Sequence, residues 1–350
     1  MCIQATVPHS FNQNSRSLAA LGWSEFFSVQ LEPGEADYAR MRIATVHRSR
    51  VTAESEEGPV RLSLPSQTNT TDFAVGDWVL VDPQTRMLVR WLERRTLLQR
   101  RTVGARNQQL IAANVDTLFI VTSCNDDFNP ARLERYLALA NEAGTTPVIV
   151  LTKADKVTEV ESYQQQAAAL QSGIAVVSLN AKTHEAAAAL ALWCRPGQTV
   201  ALVGSSGVGK STLLNTLAAK PPDEAQLTGD IRENDAKGRH TTTSRSLHAI
   251  EGGGWLIDTP GMRTLHVSDV AAGLDILFAE ISELAPTCRF RDCTHAYEPG
   301  CAVQAAVAAG MLDPARLDRW RKLREEDREN TPSGSSSRGN KPPKARGKRR

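Results

Sequence analysis

The sequence predicts an α/β fold of the P-loop nucleotide-binding kind, with a small β-barrel before it and a short metal-binding helical module after it. Three observations predict it. Between about residues 110 and 285, apolar runs alternate with helical patterns: "VDTLFIVTS", "TPVIVLTKAD", "GIAVVSLN", "TVALVGSSG" and "WLIDTPG". That rhythm calls for a mainly parallel sheet with helices on both faces. The run "TVALV" leads into Gly204–Ser211, "GSSGVGKS", which fits the phosphate-loop pattern G-x-x-x-x-G-K-[ST]. Further on, "TCRFRDCTHAYEPGC" gathers three cysteines and a histidine in one short stretch.

A chain of 350 residues is long enough for two or three domains. Its 41% hydrophobic and 23% charged residues are those of an ordinary globular protein. The apolar runs are too short to cross a bilayer, so no membrane is expected. The start, "MCIQATVPHSFNQNSRS", shows no apolar stretch after a basic opening and does not read as a secretory signal. Six cysteines in so long a chain are no disulfide framework, and a cysteine–histidine cluster suits a reducing compartment. Cytoplasmic location is the expectation.

Residues 1–37 read as a loosely structured extension, with "LAALGWSEFF" a short helical or turn segment. Residues 38–102 switch to short alternating strands: "ARMRIATVHRSRVTA", "GPVRLSLPS", "GDWVLVD" and "RMLVRWLERRTLLQRR". So many strands between turn signals predict a small β-barrel, of OB-fold type. Arg86, Arg90, Arg94, Arg95, Arg100 and Arg101 stud its last strands and exit, as a solvated face or as a surface for RNA. Residues 110–285 form the α/β domain. Residues 286–330 hold the metal cluster and a helix, "PARLDRWRKLREEDREN", with Leu317, Trp320 and Leu323 on one stripe. The last stretch, 331–350, carries three Lys and four Arg and no acid, and leaves the preceding 330 residues at −5. Such a Gly/Ser/Pro-rich tail is expected to be disordered and attractive to a polyanion.

The phosphate loop has a direct physical reading. From Gly204 through Ser205, Ser206, Gly207, Val208 and Gly209, the glycines let backbone N–H groups converge on phosphate oxygens at a helix start. Lys210 is placed for the β- and γ-phosphates, Ser211 for Mg²⁺, and Thr212 for the α-phosphate. "DTPG", Asp258 to Gly261, closes an apolar strand about fifty residues later. There Asp258 would hold Mg²⁺ through water and the Gly261 N–H would meet the γ-phosphate. The polar stretch between them ends in Thr241-Thr242-Thr243. Of these, Thr242 and Thr243 are the candidates for the Mg²⁺-sensing threonine of a nucleotide switch.

Thr152-Lys153-Ala154-Asp155 ends another strand and has the chemistry of a guanine reader. Asp155 can accept from the N1–H and the exocyclic amine of guanine, a pair that adenine does not offer. Lys153 would pack over the base. Asn180 and Ala181, after "GIAVVSL", supply a second base loop in which the Ala181 N–H meets the base oxygen. Thr152 stands where such loops usually carry asparagine, so weaker guanine contact is expected. The order is base loop, second base loop, phosphate loop, switch threonines, D-x-x-G, a circular permutation of the usual GTPase. The chain then runs from D-x-x-G straight to the metal module, to which switch motion would be passed.

Cys288, Cys293, His295 and Cys301 follow C-x₄-C-x-H-x₅-C. Three thiolates and an imidazole complete a tetrahedral shell with no open position, which reads as one structural Zn²⁺.

Taken in order, "GSSGVGKST", "GRHTTT", "DTPG", the earlier T-K-A-D, the barrel and the cysteine–histidine module resemble the ribosome small-subunit-dependent GTPase A (RsgA) family over about residues 38–325. The resemblance implies a cytoplasmic, circularly permuted GTPase that binds the 30S ribosomal subunit and its 16S rRNA late in maturation. It also implies faster GTP hydrolysis on the subunit and help in releasing assembly factors. A monomer is expected. Met262 stands after D-x-x-G where many GTPases carry a water-orienting glutamine. His240 is therefore the candidate to orient water, with Lys210 the phosphate-bound cation. The alternative is a non-hydrolysing RNA-binding module that uses guanine nucleotide only to lock its shape. GTP turnover separates the two. A kinase-like ATP enzyme would instead prefer ATP, against the reading of Asp155.

Overall fold

The computed structural model describes residues 16–47, 50–101, 108–218, 245–259 and 267–331. Helix α1 (Glu25–Ser28) precedes five strands: β1 (Ala39–His47), β2 (Arg50–Ser55), β3 (Gly58–Leu62), β4 (Trp78–Val81) and β5 (Leu88–Trp91). The long stretch "ARMRIATVHRSRVTA" is thus two strands, β1 and β2, paired antiparallel. β1 also pairs β4, β2 pairs β3, and β4 pairs β5, all antiparallel. The circuit closes at Ser63, whose N–H donates to the Arg86 carbonyl at 2.8 Å and whose carbonyl accepts from Leu88 at 2.9 Å. The round β1-β2-β3-β5-β4 is that of an OB-type barrel, in which closure leaves no free sheet edge. Ile43, Val51, Ala53, Val79 and Val81 fill it and are fully buried.

Three expectations change here. "RMLVRWLERRTLLQRR" is not one barrel strand. It splits into β5 and β6 (Leu97–Arg101), and β6 pairs antiparallel with β7 (Gln108–Ala113) to lead out of the barrel. Four of its arginines are also tied to carboxylates within the protein. Arg90 pairs with Glu35, Arg94 with Asp77, Arg95 with Asp116 and Arg101 with Asp269. The charges are used for internal ties, which alternation along the strand cannot reveal. Nor is the described part of the N-terminal segment loose. Leu21 and Phe27 are buried, Trp23 sets its ring edge-on to Trp78, and Ala20 accepts from the Trp255 indole at 2.8 Å.

The second body alternates β8 (Thr117–Ser123), α2 (Pro130–Glu142), β9 (Thr146–Thr152), α3 (Val160–Ala168), β10 (Ala175–Ser178), α4 (Glu185–Leu190), β11 (Thr199–Val203) and α5 (Lys210–Leu217). The strands β12 (Ser246–Ala249) and β13 (Trp255–Asp258) complete its sheet, in the order β10-β9-β8-β11-β13-β12. All neighbours are parallel except β12, which is antiparallel to β13. Side chains alternate across β8. Leu118 and Ile120 face the core under α2 and α3, whereas Phe119 and Val121 face that under α4 and α5. Near-continuous apolar strands follow from burial on both faces.

Barrel and sheet are joined. β1 meets β12 at Thr45 and Ser246. The fully buried Arg42 donates to the carbonyls of Leu21, Gly76 and Asn114 and to the Thr199 hydroxyl at the start of β11. Burial pushes its pKa down to about 10, so it stays a cation at neutral pH.

Beyond the sheet come α6 (Ala271–Leu277), α7 (Ala279–Leu284), α8 (Ala302–Ala308) and α9 (Pro314–Asn330). Asp313 caps α9 by accepting from the Ala315 N–H, with Pro314 at its first position. Leu317 and Leu323 on its stripe are buried. Arg316 and Arg319 of α9 both donate to buried Glu134 of α2, which fixes the C-terminal helix to the α/β body.

Candidate functional site

Strand register brings the candidate loops together. Leu202 of β11 lies level with Phe119 of β8 and Asp258 of β13, and Ser123 lies level with Thr152 of β9. All these parallel strands therefore end at one carboxyl edge, where open α/β sheets bind ligands. From it emerge Gly204–Gly209, Thr152–Asp155, Asn180–Ala181 and Asp258. Loops about fifty residues apart in sequence become neighbours.

The phosphate loop presses against β8 as it leaves β11. Gly204 has φ +144, and a Cβ there would stand 2.1 Å from the Val121 carbonyl oxygen, so only glycine fits. Gly209, at φ +96, turns the chain into α5. Val208 is buried, while Ser206 and Gly207 lie open to solvent. Lys210 folds back to donate to the Ser205 carbonyl. Ser211 and Thr212 occupy the first turn of α5, half-buried.

Thr152 is fully inside, and its hydroxyl lies 2.6 Å from the Val208 carbonyl and 3.2 Å from that of Thr122. The base loop is thereby tied to the phosphate loop by a side chain. Lys153 takes the left-handed conformation at φ 56 and starts a single 3₁₀ turn, Ala154–Lys156, that leaves Asp155 exposed. The second base loop is tied as well. The Ala181 carbonyl accepts from Thr216 of α5 at 2.7 Å, and the Asn180 side chain accepts from the Lys182 N–H at 3.0 Å. Neither tether was legible in the sequence, since each joins segments that only the sheet brings together.

Thr259, next to half-buried Asp258, donates to the Leu202 carbonyl at 2.5 Å, which holds β13 against the start of the phosphate loop. His240, Thr241, Thr242, Thr243, Gly261 and Met262 lie outside the described residues, as does the basic tail from 332 onward. The segment after D-x-x-G is held by α9. Val267 N–H donates to Glu326, Val270 N–H to Asp327, and Asp269 N–H to Thr331. The Asp269 carboxylate also takes Arg101 and Gln108 from the β6–β7 pair.

Cys288, Cys293, His295 and Cys301 converge, with all four ligand atoms within 4.8 Å of one another. His295 Nδ1 lies 3.5 Å from Cys288 Sγ and 3.4 Å from Cys301 Sγ, and those two sulfurs are 3.9 Å apart. A tetrahedron built on ordinary Zn–S and Zn–N bonds has edges of roughly 3.5 to 3.8 Å, so the residues fit zinc. Burial lowers the pKa of His295, which keeps the imidazole neutral as a ligand must be. Burial would raise Cys288, but N–H groups of Ala302 and Val303 at the start of α8 hold it below the ordinary thiol value. Burial, with the neighbouring Cys301 and Cys288 thiols, pushes Cys293 up to about 12. Three thiolates so close need a divalent cation to ionise together. Gln304 of α8 and Arg321 of α9 donate to the His295 carbonyl, and Trp320 lies against its ring, so both helices position this ligand.

Residues 91–268 match the RsgA GTPase family. The chain is also 66% identical over 337 residues to the small ribosomal subunit biogenesis GTPase RsgA of Mesorhizobium japonicum, covering 96% of this chain and 97% of that one. The chain belongs to the RsgA GTPase family. Its members thus include this permuted P-loop sheet with an OB-type barrel in front. Among solved structures, YjeQ from Thermotoga maritima shares 26% identity with a TM-score of 0.61, covering 83% of this chain and 98% of that one. YloQ, described as a circularly permuted GTPase, shares 22% with a TM-score of 0.60, covering 87% and 99%, and supports the fold alone. As an RsgA GTPase, the protein hydrolyses GTP. No helix among the described residues is long and apolar enough to cross a membrane.

Proposed function

We propose that this protein is a cytoplasmic GTPase that binds the small ribosomal subunit as a monomer late in its assembly. On the subunit it hydrolyses GTP faster and helps to release assembly factors. The relative in Mesorhizobium japonicum, named for small-subunit biogenesis, supports the biological setting. The observation that supports the chemistry is the hydrogen bond from Thr152 to Val208, which links base loop and phosphate loop.

In this reading GTP lies along the carboxyl edge. Backbone N–H groups of Gly204 to Gly209 surround the β-phosphate, Lys210 leaves the Ser205 carbonyl for the β- and γ-phosphate oxygens, and Thr212 donates to the α-phosphate. Asp155 accepts from guanine N1–H and its amine, Ala181 N–H meets the base oxygen, and the Lys153 stem covers the ring. Ser211, Asp258 and a switch threonine, Thr242 or Thr243, would hold Mg²⁺, which when bound would neutralise charge on the phosphates. The Gly261 N–H meets the γ-phosphate. Water, oriented by His240, attacks the γ-phosphorus as the bond to the β–γ bridging oxygen breaks. GDP and phosphate leave. Cys288, Cys293, His295 and Cys301 hold structural Zn²⁺. Contacts to 16S rRNA come from the barrel, the zinc module and the basic tail.

The test is GTP turnover titrated with purified small subunits, with Lys210→Ala as control. Turnover that rises with subunit concentration in wild type and vanishes in the variant is expected. Turnover indifferent to subunits would remove the ribosomal part. In His240→Ala, stimulation equal to wild type would remove the histidine from the mechanism.

A further inference from the structure

Arg132 sits in the third position of α2, after the cap Asn129, whose side chain accepts from the Arg132 N–H, and after Pro130 at the first position. That is a poor place for a cation. The first turn of a helix carries the positive end of its dipole and favours acids. The turn holds no acidic residue, and Arg132 pairs with no carboxylate among the described residues. Its neighbour Arg135, by contrast, has Glu326. The guanidinium of Arg132 instead donates to Ser205 Oγ in the phosphate loop, and the residue is half-buried there.

Ser205 is therefore bracketed. Lys210 holds its carbonyl from one side and Arg132 holds its hydroxyl from the other. The reach is short because Gly204 presses on Val121 of β8, the strand that leads into α2. An arginine placed against a helix dipole, without a counter-ion, on a loop that surrounds polyphosphate is explained by the polyphosphate. We propose that Arg132 is a positioning residue of the nucleotide site. It clamps the phosphate loop through Ser205 and adds the positive charge of α2 behind the β-phosphate cradle. This rests on the reading that nucleotide occupies Gly204–Thr212, and it adds a residue from outside the P-loop pattern. When nucleotide binds and Lys210 leaves the Ser205 carbonyl, the Arg132 bond keeps the loop in the shape that presents its N–H groups.

The test is a double-mutant cycle on the full chain, read by the dissociation constant of N-methylanthraniloyl-GDP. Arg132→Ala should weaken GDP by roughly tenfold, the size of one charge-assisted hydrogen bond. Ser205→Ala, which deletes one hydroxyl, should weaken it by a few-fold. The double variant should bind no worse than Arg132→Ala alone, because both remove the same link. Arg132→Lys should recover part of the loss, as a point charge without the fork. Affinity in Arg132→Ala within twofold of wild type would overturn the proposal, and so would effects of the two single variants that simply multiply. If Arg132→Ala does not fold, Ser205→Ala and Arg132→Lys with their double variant make the same cycle. Lys210→Ala runs alongside. Undiminished affinity there would sink the phosphate-loop reading itself, whereas loss there with none in Arg132→Ala sinks only the arginine.

Discussion

The Thr152 hydroxyl lies 2.6 Å from the Val208 carbonyl, one residue at the end of β9 and the other in the loop after β11. Where the sequence predicts weaker guanine contact because threonine replaces asparagine, the geometry shows the threonine making the bridge between base loop and phosphate loop. A hydroxyl has one proton, so Thr152 can serve either Val208 or Thr122 at a given moment, and the nearer carbonyl takes it. In the proposed function, recognition of the base then falls to Asp155 and the Ala181 N–H.

Thr152→Val keeps the shape and deletes the donor. It should destabilise the fold by about 1–3 kcal/mol, because the Val208 carbonyl is left without that partner in a buried place. GDP affinity should drop by roughly tenfold as the two loops lose their link. Thr152→Ser should hold both. Thermal melting and nucleotide titration read the two effects, and a valine variant that binds GDP as wild type does would show the bridge to be irrelevant.

Arg42 makes a prediction about how the barrel is attached. Its guanidinium serves acceptors in the N-terminal segment, the barrel, the β7–β8 turn and β11 at once. Arg42→Met should cost about 2–4 kcal/mol, since packing survives but several buried acceptors lose their donor. Arg42→Lys should recover little, because an ammonium cannot fork among four sites. Denaturant unfolding checks both. A lysine variant as stable as wild type would mean that the charge, not the fork, joins the two bodies.

What was legible in the sequence, and what was not, divides along a physical line. The phosphate-loop pattern Gly204–Ser211 and the convergence of Cys288, Cys293, His295 and Cys301 were readable because each chemistry restricts residue types at short spacing. Helix α9 was readable from end to end because Asp313, Pro314 and the apolar stripe act locally. The roles of Arg132, Arg42 and the arginines of β5 and β6 were not readable. Each meets a partner brought in from a distant element, and spacing carries no trace of it. Arg90 looks the same in sequence whether it faces RNA or Glu35. The packing of residues 16–37 was missed for a related reason, since Leu21 and Phe27 are too few to show a period.

The metal centre predicts a coupled loss. The proposed zinc would order its ligands on the loop between α7 and α8, and α9 touches that loop through Arg321 and Trp320. Cys301→Ser, or a strong chelator, should remove a single zinc per chain and lower the melting temperature. Hydrogen exchange should quicken in 288–312 first, while the β8–β9 core keeps its protection. Zinc analysis of the purified chain reads the first effect, and wild-type-like exchange in the metal-stripped protein would mean that the cluster does not organise this module.

Glu35 and Arg90 predict a pH dependence. Arg90 Nε and Nη2 donate to the two Glu35 oxygens, both at 2.6 Å, across the seam between the N-terminal segment and β5. The Arg90 hydrogen bonds, against a smaller opposing effect of burial, hold the Glu35 pKa below its ordinary 4.5. In the unfolded chain the carboxyl returns to that ordinary value. Between the two pKa values the unfolded state binds more protons than the folded one, so stability rises with pH. The stabilisation is therefore complete above pH 4.5 and fades as pH falls through the lowered folded value. Glu35→Gln removes the ionisable group and keeps the size. Its melting temperature should lie below that of wild type at pH 7, and the gap should close in acid. Both proteins carry the same cysteine–histidine cluster, so the difference between them isolates the pair. A gap unchanged below pH 4.5 would show that Arg90 draws nothing from the charge of Glu35.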